Sequence, residues 1–102
     1  MEPSDPVVKR FVDALNAGDR EAFFAVLTPD ATMSDDGNER DLRDWTEREI
    51  FSSGGHMDVE SESHDGLSLF ARYSNSTWGQ MRTRWRFELS GEKVARFETG
   101  QA

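Results

Sequence analysis

The stretch Gln80-Met81-Arg82-Thr83-Arg84-Trp85-Arg86-Phe87-Glu88-Leu89-Ser90 decides the fold. Met81, Thr83, Trp85, Phe87 and Leu89 fall on one side of an extended chain, and Arg82, Arg84, Arg86 and Glu88 fall on the other. Period two sustained over this length excludes a helix. Two large rings on one side and three guanidinium groups on the other require a sheet with one buried and one wetted face.

Strands extend outward from this one in both directions. Ser90-Gly91-Glu92 makes a hairpin turn into a strand from Lys93 to Thr99, where strict alternation sets Val94 and Arg96 opposite Ala95 and Phe97. Upstream, residues 67–78 read as a long strand and residues 56–64 as a mostly polar one. Everything after residue 55 is therefore an antiparallel meander.

The first half has helical period. Asp5 caps a helix that carries Pro6 at its first position. Val8, Phe11, Val12 and Leu15 then recur at i, i+3, i+4 and i+7 until Gly18 stops it, which gives a helix over 6–17. Asp19 caps a second, shorter helix with Ala22, Phe23, Val26 and Leu27, ended by Thr28-Pro29-Asp30. Ala31–Ser34 follows as a short strand and Asp36-Gly37-Asn38 as a turn. A third helix then runs from Asp41 to about Phe51, before Ser52-Ser53-Gly54-Gly55. Helices first and antiparallel strands afterwards give an α+β fold, with a strongly curved sheet folding over the first helix.

At 102 residues the chain can bury roughly 60 to 65% of its unfolded surface, enough for one core, so a single domain spanning 1–102 is expected. Only 35% of the residues are apolar while 11% are aromatic, which leaves the burial to a few large rings. Net charge is −8, with seventeen acids against six bases in residues 1–66 and three against six thereafter. Such a balance argues against a nucleic-acid partner. Without cysteine there is no disulfide, thiolate nucleophile or thiolate metal site, and no cofactor is expected. No apolar run long enough for a membrane span occurs, and the acidic start Met1-Glu2-Pro3-Ser4-Asp5 is unlike a secretory leader. A cytoplasmic protein with no membrane partner is the expectation, and it leaves the glycosylation pattern Asn75-Ser76-Thr77 unused.

Two segments carry a resemblance. Val7-Val8-Lys9-Arg10-Phe11-Val12-Asp13-Ala14-Leu15-Asn16-Ala17-Gly18-Asp19, with Ala25-Val26-Leu27-Thr28-Pro29-Asp30-Ala31-Thr32 after it, resembles the opening of the nuclear transport factor 2-like superfamily, which includes SnoaL-like proteins and ketosteroid isomerases. Arg84-Trp85-Arg86-Phe87 with Gly91-Glu92-Lys93-Val94 is similar to the late hairpin of the same group. The resemblance implies a cone-shaped, cystatin-like fold, open at one end and often dimeric through the outer face of the sheet.

Carried over residue by residue, the resemblance implies a general base at Asp35, where ketosteroid isomerases place their catalytic Asp. The Tyr and the protonated Asp with which those enzymes hold an enolate fall here on Phe11 and Thr83. Phenylalanine donates no hydrogen bond and a threonine hydroxyl is a weak donor. Loss of one such donor costs roughly 3 to 4 kcal/mol of transition-state stabilisation, so steroid isomerisation is not expected. Thr83 also removes the acid–base Asp of SnoaL-like cyclases.

Several residues admit two readings. Asp35 is either a pocket base or part of an ordinary Asp35-Asp36-Gly37 turn. On helical spacing Glu49 shares a stripe with Leu42, Trp45, Thr46 and Ile50, so it is either a carboxylate at a cavity mouth or one rotated to the rim and bonded to Arg48 or a sheet arginine. His56 and His64 bracket a strand whose charged face also carries Asp58, Glu60 and Glu62, a pattern that fits an exposed edge better than a metal site, and no metal is assigned.

The expected pocket wall is Phe11, Leu15, Trp45, Glu49, Met81, Thr83, Trp85 and Phe97, suited to a small apolar or aromatic ligand. Arg82, Arg84 and Arg86 are expected at a homodimer interface. Two functions stay open: a small-molecule pocket protein, an isomerase, cyclase or lyase with Asp35 as base, or a non-catalytic binding or dimerisation module with a vestigial cavity.

Overall fold

The computed structural model describes all residues from Met1 to Ala102. Helix α1 (Pro6–Ala17) begins where the Asp5 carboxylate accepts the backbone N–H groups of Val7 at 2.8 Å and Val8 at 3.1 Å, with Pro6 supplying a preset φ in the first turn. It ends at Gly18, whose φ of 64° lets the N–H groups of Gly18 and Asp19 close back on the Leu15 and Ala14 carbonyls. The carboxylate of Asp19 then caps α2 (Arg20–Ala25) through the Ala22 N–H at 3.0 Å.

Six strands form one sheet in the order β2-β1-β6-β5-β4-β3: β1 (Leu27–Asp35), β2 (Asn38–Arg40), β3 (His56–Ser63), β4 (Ser68–Asn75), β5 (Gly79–Ser90) and β6 (Lys93–Gln101). Every neighbouring pair is antiparallel except β1 with β6. The fold is α+β, as the order of helical and period-two segments predicts.

Three irregularities bend the sheet, and each departs from strict alternation. In β1 the pairing with β6 shifts between Leu27 and Thr32. Pro29, which has no N–H to give the ladder, sits in that excursion, so the strand starts at Leu27 and not after Asp30. In β3 a shift between Val59 and Ser61 breaks the run of acids. Asp58 and Glu60 stay exposed, while Glu62 turns to accept the Ser4 hydroxyl at 2.7 Å. Between β5 and β6 the register shifts where Leu89 pairs with Val94 and Glu88 with Arg96. Ala95 is the extra residue, which puts both Val94 and Phe97 in the core instead of on opposite faces.

The edge strand β2 is absent from the sequence reading. Asp36 and Gly37, with φ of 49° and 82°, form a two-residue hairpin turn that pairs Asp35 with Asn38. Three exposed residues give β2 no apolar pattern to read.

The alternation of β5 holds. Thr83, Trp85 and Phe87 are buried on the concave side, the last two against Phe11 of α1, and Arg82, Arg84, Arg86 and Glu88 are exposed on the convex side. Phe11 on α1 is fully buried at the centre of the core, with ring centroids 4.8 Å from Phe23, 4.9 Å from Phe87 and 5.1 Å from Phe97. Tilted and edge-on contacts of this kind favour the opposed charges of ring edge and ring face. No helix is long and apolar enough to cross a membrane.

Helix α3 (Leu42–Thr46) starts at Asp41, whose side chain accepts the Asp44 N–H at 2.9 Å, and widens into a π-helical segment, Glu47–Phe51. Ideal α spacing would align Trp45, Glu49 and Ile50. The wider turn instead buries Trp45, Thr46 and Ile50 and swings the half-exposed Glu49 to the rim. A helix end of this kind leaves carbonyls without helical partners. Ser53 Oγ donates to the Arg48 carbonyl at 2.9 Å and the Gly55 N–H to that of Ile50 at 2.6 Å. The Glu49 carbonyl receives Asn75 Nδ2 at 2.9 Å and the Tyr73 hydroxyl.

Candidate functional site

A cleft of about 360 Å³ opens at the end of the sheet where β1, the π-helical segment, β4 and the β4–β5 loop converge. Asp35 closes one side from the last position of β1. Its Oδ2 accepts the indole N–H of Trp45 at 3.0 Å, and Oδ1 has no hydrogen-bond partner in the chain. Across the cleft, Glu49 Oε2 accepts the indole N–H of Trp78 at 2.9 Å, again with the second oxygen without a partner. Neither of the expected partners of Glu49 holds it, since Arg48 pairs with Asp44 at 3.1 Å.

The floor comes from the concave side of β5. Trp85 donates its indole N–H to Thr83 Oγ1 at 2.8 Å, and the Thr83 hydroxyl donates to the Ala71 carbonyl at 3.2 Å. The one proton of Thr83 is thereby committed to the sheet, so this side chain has no donor to give a bound molecule. Met81, one pleat nearer the opening, is half-buried and shapes the wall.

Tyr73 is the polar hinge between floor and rim. Its hydroxyl reaches the Glu49 carbonyl because Gly55 lies beneath it, where a Cβ would collide with that hydroxyl and come within 2.9 Å of the Ile50 Cα. Burial pushes the phenol well above its ordinary pKa, and the nearby Glu49 carboxylate adds to the rise while Asn75 opposes it. Tyr73 therefore stays a neutral donor. Asn75 Oδ1 accepts the Trp78 N–H at 2.8 Å and so anchors the loop that carries the exposed Trp78 ring.

Of the residues expected at the site, Asp35, Trp45, Glu49, Met81, Thr83 and Trp85 line this one cleft. Phe11, Leu15 and Phe97 do not: they are fully buried in the core behind it. Periodicity correctly places them on inward faces, but it gives the face and not the depth. Arg40, Tyr73, Asn75 and Trp78 line the cleft without having been expected there. A tryptophan in the turn-rich run Asn75-Ser76-Thr77-Trp78-Gly79 was the available signal, because a large ring on a loop is seldom there for packing.

Arg82, Arg84 and Arg86 lie on the convex face. Arg82 pairs with Glu60 at 3.2 Å, Arg84 donates to the Gln101 carbonyl at 3.2 Å, and Arg86 makes no ion pair or hydrogen bond within the chain. His56 and His64 stand at opposite ends of β3, and no group of three or more acidic or histidine side chains is placed to hold a metal ion.

The fold recurs in solved structures. One is a candidate polyketide cyclase from Sinorhizobium meliloti, with a TM-score of 0.76 at 20% identity over 93% of this chain and 94% of that one. A second is a nuclear transport factor 2-like protein of unknown function from Cytophaga hutchinsonii, with a TM-score of 0.73 at 13% identity over 94% and 87%. The chain has the nuclear transport factor 2-like fold. A third protein with this fold, from Catenulispora acidiphila, has a ketosteroid isomerase-like architecture and is in complex with trimethylamine; its TM-score is 0.71 at 15% identity over 97% and 85%. At these identities the likeness is one of fold. No family model and no curated protein sequence matches the chain. Within the nuclear transport factor 2-like fold, the chemistry must therefore be read from the cleft itself.

Proposed function

We propose that the chain is a SnoaL-like small-molecule protein whose ligand occupies the cleft between Asp35 and Glu49, with Asp35 as the group that accepts a proton from it. The single observation that carries this reading is the state of Asp35. One carboxylate oxygen is fixed by Trp45 while the other is free at the wall of an open, aromatic-lined cleft. A base must be held in one orientation and still reach its substrate, and this arrangement does both. A ligand with an apolar or aromatic body suits the Trp45, Tyr73, Trp78, Met81 and Trp85 lining. The trimethylamine complex of the Catenulispora neighbour supports a guest of small size in this fold. Proton abstraction next to an activating group is the step that an isomerase, a cyclase and a lyase share. No tyrosine or acid stands at Phe11 or Thr83 to hold an enolate, so the substrate is one whose anion is stabilised by its own structure.

The test is a thermal-shift screen of small aromatic fragments on the wild-type chain and on Met81→Trp, which narrows the cleft. Binding to the folded state raises the melting temperature. Fragments that stabilise wild type and lose this effect in the narrowed variant support the reading. Absence of any stabilising fragment, or equal stabilisation of both chains, contradicts it.

A second reading concerns the convex face and is carried by a different observation. Phe70 is 43% exposed and pairs in register with Arg84, next to the unpartnered Arg86. In a two-fold contact this face meets itself, so the exposed ring and the guanidinium groups of one copy would stand against the same face of the other, where Glu60 and Glu88 supply the acids. We therefore propose a homodimer through this face.

A further inference from the structure

We infer that the ligand of this cleft is a small organic cation, a protonated or quaternary amine carrying apolar substituents. This rests on the reading of the cleft as a small-molecule site and goes on to name the chemical class that fits it.

The inference follows from which polar groups are already used. Each indole N–H at the site is committed: Trp45 to Asp35, Trp78 to Glu49 and Trp85 to Thr83. The Tyr73 hydroxyl is committed to the Glu49 carbonyl and the Thr83 hydroxyl to that of Ala71. Donors in the interior of the cleft are thus consumed by the protein, leaving only the Arg40 and Gln101 side chains uncommitted among the lining donors, while Asp35 Oδ1 and Glu49 Oε1 are left as acceptors in its lining. A guest that brings only acceptors would find donors only at Arg40 and Gln101, whereas one that brings N–H groups or positive charge meets two carboxylates.

Charge and ring placement agree with this. Asp35, Asp36 and Glu49 line the cleft against one guanidinium, that of Arg40, which is exposed at the rim and pairs with no acid. The aromatic rings add to the preference. Trp78, 61% exposed and with its indole N–H bonded to the Glu49 carboxylate, leaves an electron-rich ring face for a guest, and a cation is the guest such a face attracts. Aromatic walls with two free carboxylate oxygens are also a poor site for a phosphate or a carboxylic acid, which like charge would repel.

The test is calorimetric titration of the full chain with three probes of one shape: choline, its neutral carbon counterpart 3,3-dimethylbutan-1-ol, and the anion 3,3-dimethylbutanoate. Choline is expected to bind at least about tenfold more tightly than the alcohol, and the anion more weakly than either. Asp35→Asn and Glu49→Gln keep an oxygen to accept the Trp45 and Trp78 N–H groups, so the fold is retained. Each is expected to weaken choline by about fivefold and to weaken the neutral alcohol by a smaller factor. Equal or tighter binding of the alcohol overturns the cation assignment while leaving a small-molecule cleft in place. Failure of all three probes to bind also overturns it, and the fragment screen above then decides the broader reading separately.

Discussion

The Trp45 indole and the Asp35 carboxylate meet at 3.0 Å, joining the first helical turn after β2 to the last residue of β1. The bond fixes a ring that is 5% exposed and orients a carboxylate that lines the cleft. Core and site are thereby coupled through one contact: Trp45 also lies 6.4 Å from Trp85 and 6.2 Å from Phe97, centroid to centroid.

A double-mutant cycle on this pair is expected to give a coupling of about 1.5 to 3 kcal/mol, the range for a hydrogen bond to a charged group. Trp45→Phe, Asp35→Ala and the double variant, each unfolded in urea, provide the measurement. Additive losses would mean that the bond contributes nothing.

Tyr73 is the only tyrosine in the chain, so its ionisation can be followed by ultraviolet absorbance without interference from another phenol. Its pKa is raised in the folded state, chiefly by burial. An unfolded chain ionises this group near pH 10 while the folded chain does not, so its contribution to stability is complete below about pH 10 and is lost as pH rises further. Phenolate absorbance is expected to appear together with alkaline unfolding. Reversible ionisation near pH 10 in the folded protein would contradict the buried contact with the Glu49 carbonyl. Tyr73→Phe is expected to cost about 1 to 2 kcal/mol at neutral pH and to flatten the alkaline loss.

Glu47 shows the opposite sign. Hydrogen bonds from Arg20 and Ser52 lower its pKa to about 2. A group depressed in the folded state stabilises above its unfolded pKa, and that contribution fades as pH falls from about 4.5 toward 2. Carboxyl carbon resonances should show Glu47 titrating near 2 in wild type and moving toward the ordinary glutamate range in Arg20→Gln. An unchanged midpoint would remove Arg20 as the cause.

Much of this arrangement is legible in the residues, and the parts that are not share a physical origin. The caps at Asp5, Asp19 and Asp41, and the inward row of Thr83, Trp85 and Phe87, follow from local chemistry and from period two. The extra residue at Ala95, the turn of Glu62 toward Ser4 and the excursion at Pro29 arise where a curving sheet must keep its ladder, a non-local demand that no short window displays. The π-helical segment is of the same kind. Its rim position for Glu49 depends on Tyr73 and Asn75, which stand more than twenty residues away and satisfy the freed carbonyl. Phe11, Leu15 and Phe97 share the inward orientation of Thr83 and Trp85 but sit one layer deeper, a distinction fixed only by packing.

On the convex side, Arg84→Glu and Arg86→Glu are expected to weaken self-association by about tenfold or more by setting like charges against an acidic partner copy. Sedimentation velocity across micromolar concentrations measures this. A wild-type chain that sediments as a monomer throughout would refute a dimer built on this face.

The cleft itself is tested most directly by recording the three indole N–H resonances during a titration with phenol, a small aromatic donor. Saturable shifts of the Trp45 and Trp78 signals, weakened in Asp35→Asn and absent from the backbone amides flanking Arg84 and Arg86, are the predicted result. Shifts confined to the convex face, or indole signals that stay fixed to the solubility limit of phenol, would show that no ligand enters between Asp35 and Glu49.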